Sequence, residues 1–90
     1  MFNVYIAADN VISEYTSSIE RTGSMDIAEL TKLVDGAYIL FCSMATEEVV
    51  SDLKCKIIQL IVSCNLHGVI GNASSRELQA KVNIAAESAI

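Results

Sequence analysis

The sequence predicts an all-α protein: a small bundle of three to four helices, with residues 1–90 forming a single helical domain. Three observations lead there. The chain has no proline and only four glycines, so little interrupts a helix. Three short stretches, "SMDIAEL", "MATEEVV" and "NASSREL", carry helix-start chemistry. Between them, apolar residues recur at steps of three and four, the spacing of one helix face.

The first helix is expected over 3–21, on the series Val4, Ala8, Val11, Tyr15 and Ile19. "FNVYI" has β-like composition, so residues 2–8 fit either a helical or an extended start. "RTGS" then separates it from a second helix over 27–45. There Asp26 and Glu29 have the spacing of a capping box, and Met25 and Leu30 that of a hydrophobic staple. The stripe runs Ile27, Leu30, Val34, Ala37, Phe41, Met44.

The third helix is expected over 47–67. Thr46 caps it, Glu47 and Glu48 set negative charge against its dipole, and Ala45 with Val50 forms a staple. Its stripe is Val50, Leu53, Ile57, Leu60, Cys64. The second and third helices meet at Ala45–Thr46 with almost no loop, as a tight corner or a continuous kink. Gly68 is placed to take the left-handed conformation past the third helix, returning Val69 to the turn around Cys64. The fourth helix is expected over 75–89, started by a Ser74–Glu77 box and an Ala73–Leu78 staple, with the stripe Leu78, Val82, Ala85, Ala89.

Composition narrows the function classes. The chain is 52% apolar and 19% charged, against usual values of about 45–50% and about 25%, which excludes a disordered chain. Net charge is −5, and the six basic residues are scattered, so no basic track exists for a phosphate backbone or an anionic membrane surface. The start, "MFNVYIAADN", lacks the basic region of a signal peptide. The longest apolar runs, "GAYILFCSMA" and "IIQLIVSCNL", are about half of the ~20 residues a spanning helix needs. A cytoplasmic protein without a membrane span is expected. Cys42, Cys55 and Cys64 are odd in number, lack paired spacing and sit among apolar residues, so they read as reduced core cysteines.

The side chains point away from catalysis. Cys64 and His67 could face one side of a metal, but a structural zinc site wants four ligands, and Cys42 and Cys55 do not fit the spacing. A Cys–His nucleophile would need a third, orienting group. Glu47 and Glu48 are adjacent and diverge on a helix. "GVIGN" lacks the Lys and Ser/Thr of a phosphate loop. No enzymatic activity, cofactor, metal or small-molecule substrate is therefore expected. "DIAELTKLVDGAYILFCSMA" has the outline of a helix-turn-helix, yet its second helix offers Tyr38, Ile39, Leu40, Phe41 and Met44 where base edges call for polar side chains. "SSRELQAKVN" could read DNA with Arg76, Gln79, Lys81 and Asn83, but nucleic acid is disfavoured by the net charge.

What remains is an excess of apolar surface. Beside its main stripe the second helix adds Leu33, Tyr38, Ile39 and Leu40, and the third adds Val49, Ile58, Ile61 and Val62, so each is apolar over more than the ~100° stripe that one-sided burial requires. The last helix has one Leu, one Val, one Ile and several Ala, a thin lid. A protein partner or a second copy is expected to complete the core, with Tyr38, Leu40, Phe41, Ile58 and Ile61 as candidate anchors in a groove that takes an amphipathic helix. The expected function is a non-enzymatic protein-binding module, a small acidic helical chaperone or adaptor akin in size and charge to bacterial secretion chaperones. The alternatives are a small phage- or plasmid-type DNA-binding regulator and a structural subunit of a larger complex.

Overall fold

The computed structural model describes residues 3–44 and 46–89. Among these residues the chain is all-α, with five helical segments and no strand: α1 (Val4–Thr22), α2 (Ile27–Asp35), α3 (Ala37–Cys42), α4 (Glu47–Leu66) and α5 (Asn72–Ala89). The Ala45–Val50 staple lies outside the described residues, but the helix expected to reach 45 already ends at Cys42, capped by Ser43, whose N–H bonds the Ile39 and Leu40 carbonyls, so the second and third expected helices do not run on into one another.

Local chemistry sets the boundaries. Asn3 caps α1, its side-chain oxygen accepting the Ile6 N–H at 3.2 Å, so the chain is helical from Val4 onward. Gly23 ends α1 in the left-handed conformation (φ 71°), with its N–H returned to the Ile19 carbonyl. Asp26 caps α2 through the Ala28 N–H. The reciprocal half of the expected box does not form: the Glu29 carboxylate accepts from the Tyr15 hydroxyl at 3.2 Å, tying α2 to α1. Thr46 caps α4 through the Val49 N–H. Gly68 (φ 76°) closes α4 as expected. The Val69 N–H reaches the Cys64 carbonyl at 2.8 Å and the Gly68 N–H reaches Asn65 at 3.1 Å, the two bonds of a Schellman motif.

Two further boundaries differ from the sequence reading. The expected second helix bends at Gly36 and becomes α2 and α3. Gly36 takes ψ −4°, and a Cβ built there would sit 3.2 Å from the Lys32 carbonyl oxygen, so the bend suits glycine. The last helix begins at Asn72, three residues ahead of 75. The Ser75 N–H already bonds the Gly71 carbonyl, Ser75 is buried with its hydroxyl accepting from Gln79, and Glu77 faces Lys81, so the Ser74–Glu77 box has no role.

One core unites all five segments. It is built from Ile12 and Ile19 of α1, Leu30 and Val34 of α2, Ala37 and Phe41 of α3, Val82, Ala85 and Ala86 of α5, and the full inner stripe of α4. Helix α4 packs against α1 and α5, while α5 also packs against α2 and α3. The thin lid thus touches three of the other helices. Its small residues are the reason: Ala85, Ala86 and Ser75 let its backbone come close where larger side chains would hold it off. The radius of gyration is 12.5 Å, against about 12 Å for a self-contained globule of this length, so the chain reaches ordinary density alone.

A candidate protein-binding groove

The seam between α2–α3 and α5 is closed at its floor and open at its rim. Val34 and Ala85 form the floor. Asp35 and Tyr38 stand on one wall, and Lys81, Ile84 and Ser88 on the other, around a shallow groove of about 530 Å³. Lys81, Ile84, Ala85 and Ser88 follow helical spacing along α5, so the wall is one continuous strip. Tyr38 is 47% exposed and Ile84 62% exposed; Ile6, Ile27, Ile39 and Leu66 are more exposed than Tyr38, but Tyr38 and Ile84 are the two that face each other across one groove. The interaction of the Tyr38 hydroxyl with the Cys42 thiol, one turn on, pushes its pKa above the ordinary phenol value. The ring is therefore a neutral, amphipathic surface at physiological pH.

The five candidate anchors divide. Phe41 (1% exposed) and Ile61 (0%) are sealed in the core and offer nothing to a partner, which corrects their assignment as anchors. Phe41 lies one turn past Ala37 on the buried side of α3, and Ile61 shares the inner face of α4 with Ile57 and Cys64. Leu40 and Ile58 are half-buried against the core. Only Tyr38 lines the groove. Ile84 was missed because it sits off the Leu78–Val82–Ala85–Ala89 stripe; being a large apolar residue on the polar side of its helix was the available signal.

The opposite seam, between α1 and α4, is finished with polar groups. The Tyr5 hydroxyl donates to Asp52, and the Lys56 ammonium donates to Asp9 at 2.5 Å and to Tyr5 at 3.2 Å and lies 3.3 Å from Asp52. The ammonium also lies 5.4 Å from the Tyr5 ring centre. These contacts, with Asp9 first, raise the Lys56 pKa, and the Tyr5 and Lys56 donors lower that of Asp52. A lysine stabilised in its charged form is no nucleophile, so the cluster reads as a clamp between helices.

The cysteines also divide. Cys64 is buried, with its thiol donating to the Met25 sulfur at 3.7 Å and its pKa raised by burial. Cys42 and Cys55 are exposed, which corrects their reading as core residues. Cys42 follows Tyr38 on the outer side of α3, and Cys55 lies across α4 from Leu53 and Ile57. His67 is exposed at the α4 end while Cys64 faces inward, so the two do not converge. Among the described residues no three His, Cys, Asp or Glu side chains gather as metal ligands, and no helix is long and apolar enough to cross a membrane.

Compared with known protein families, with curated proteins and with solved structures, the chain matches none.

Proposed function

We propose that the chain is a non-enzymatic protein-binding module whose groove between α2–α3 and α5 receives the apolar face of a helix from another polypeptide. The observation that carries this reading is the pairing of Tyr38 and Ile84 across an open apolar seam. A helix face presenting side chains at i, i+3 and i+4 can enter such a trough, with the Tyr38 ring as the anchor. An acidic chaperone or adaptor that shields such a helix is the role that fits this chemistry, in the cytoplasm where free thiols persist. The DNA-binding alternative has weaker support: the basic residues of α5 are only Arg76 and Lys81, with Glu77 between them and 3.9 Å from Lys81.

Site-specific photo-crosslinking tests the proposal. Tyr38→benzoylphenylalanine in cells of the source organism should give an adduct of discrete mass, and the same substitution at exposed Ser17 on α1 should not. Equal or absent adducts at the two positions would refute it.

A further inference from the structure

We propose that the groove's occupant is a second copy of this chain, docked about a two-fold axis that runs along the groove. This rests on reading the groove as a protein-docking surface and names its partner. The two walls carry opposite charges, Asp35 on one and Lys81 on the other. Asp35 forms no ion pair among the described residues. Lys81 has only Glu77, at 3.9 Å on its own helix, a half-exposed contact weak enough to exchange. A two-fold along the groove sets the first wall of each copy over the second wall of the other. It therefore brings the wall of each copy that carries Asp35 and Tyr38 against the other copy's wall that carries Lys81 and Ile84. One contact repeats by symmetry, so two ion pairs and two apolar contacts form together around the dyad. The small residues Ala85 and Ser88 leave room for that approach. A two-fold across the groove would instead oppose like charges, and such juxtaposition disfavours a docking mode. Charge therefore favours the axis along the groove.

Sedimentation velocity of the full chain from low to high micromolar concentration tests it, with circular dichroism confirming that each variant folds. The wild type should form dimers. Asp35→Lys alone and Lys81→Asp alone should each weaken dimerisation by about tenfold or more, because each sets like charges face to face. The double variant Asp35→Lys/Lys81→Asp restores the opposition with signs exchanged and should regain dimerisation. Tyr38→Asp should abolish it. A wild type that stays monomeric, or folded single variants that dimerise as well as wild type, or a double variant without recovery, would overturn the proposal. A monomer that still yields a heavier, heterologous adduct from position 38 would remove the second copy and leave the docking surface standing. A monomer without any adduct would remove both.

Discussion

The two long seams of the molecule bury similar apolar stripes and finish their rims in opposite ways. Between α1 and α4, Ile12 and Ile19 meet the inner face of α4, and the Tyr5–Asp52–Lys56–Asp9 clamp closes the outside with charge and hydroxyl groups. Between α2–α3 and α5, Val34, Phe41 and Ala85 seal the inside as thoroughly, yet the rim leaves Tyr38 and Ile84 exposed beside Asp35 and Lys81, which do not pair with each other. The difference separates two demands. A fold needs only its inner stripe sealed, and both seams achieve that. A rim whose polar groups pair with one another keeps a seam solitary, whereas a rim with exposed apolar side chains and unpaired walls keeps it available to another surface.

The largest expected effect falls inside the second seam. Phe41→Ala should cost about 3–5 kcal/mol in chemical denaturation, because the ring is wholly buried and its removal leaves a cavity. Tyr38→Ala, three residues away on the rim, should change the stability of the dilute, dissociated chain by no more than about 0.5 kcal/mol. Equal costs would erase the distinction between floor and rim. Next comes the close approach of α5. Ala86→Leu adds bulk at a residue only 4% exposed and should cost about 1–3 kcal/mol; no loss would mean that α5 does not need its small residues.

Smaller still is the turn that orients α5. Gly68→Ala places a Cβ in open space but at φ 76°, so the expected cost of about 1 kcal/mol is wholly conformational. A gain in stability would contradict the left-handed cap.

The clamp of the first seam should show in the pH dependence. Asp52 is held below the ordinary carboxylate pKa by Tyr5 and then Lys56, so its pairing acts fully above about pH 4 and fades as pH falls through the lowered value. Lys56 runs the other way. Its pKa is raised chiefly by Asp9, so its contribution is complete below about pH 10.4 and is lost as pH rises beyond that. Thermal midpoints should be flat from about pH 4 to about pH 8.5, above which burial of the Cys64 thiol in its neutral form begins to cost stability, and Asp52→Asn should make the acid limb shallower. An unchanged acid limb would show that the exposed cluster contributes nothing, the common fate of surface ion pairs.

Much of this was legible in advance. Asp26, Thr46 and Gly68 act through local hydrogen bonds, and local chemistry is what a sequence displays; the inner stripes of α4 and α2 follow from period alone. The bend at Gly36 depends on one backbone angle, and the early start of α5 depends on tertiary burial of Ser75, so neither shows in a pattern. Of the groove, Tyr38 was legible as a large residue beside the main stripe. Its separation from Phe41 follows from the same period, since Phe41 lies on the main stripe; what the period left open was that α5 seals that stripe by itself, which removes Phe41 as an anchor. The α1–α4 clamp joins residues 47 positions apart, beyond the reach of helical spacing.

Residue-level hydroxyl-radical footprinting, with the chain dilute and then associated, tests most directly which surface is covered. Tyr38 and Ile84 should lose reactivity on association, while Ile6 on α1 and Leu66 at the end of α4, the latter 79% exposed, should keep theirs. Protection of Leu66 with Tyr38 and Ile84 still reactive would place the docking surface on α4 and contradict the account.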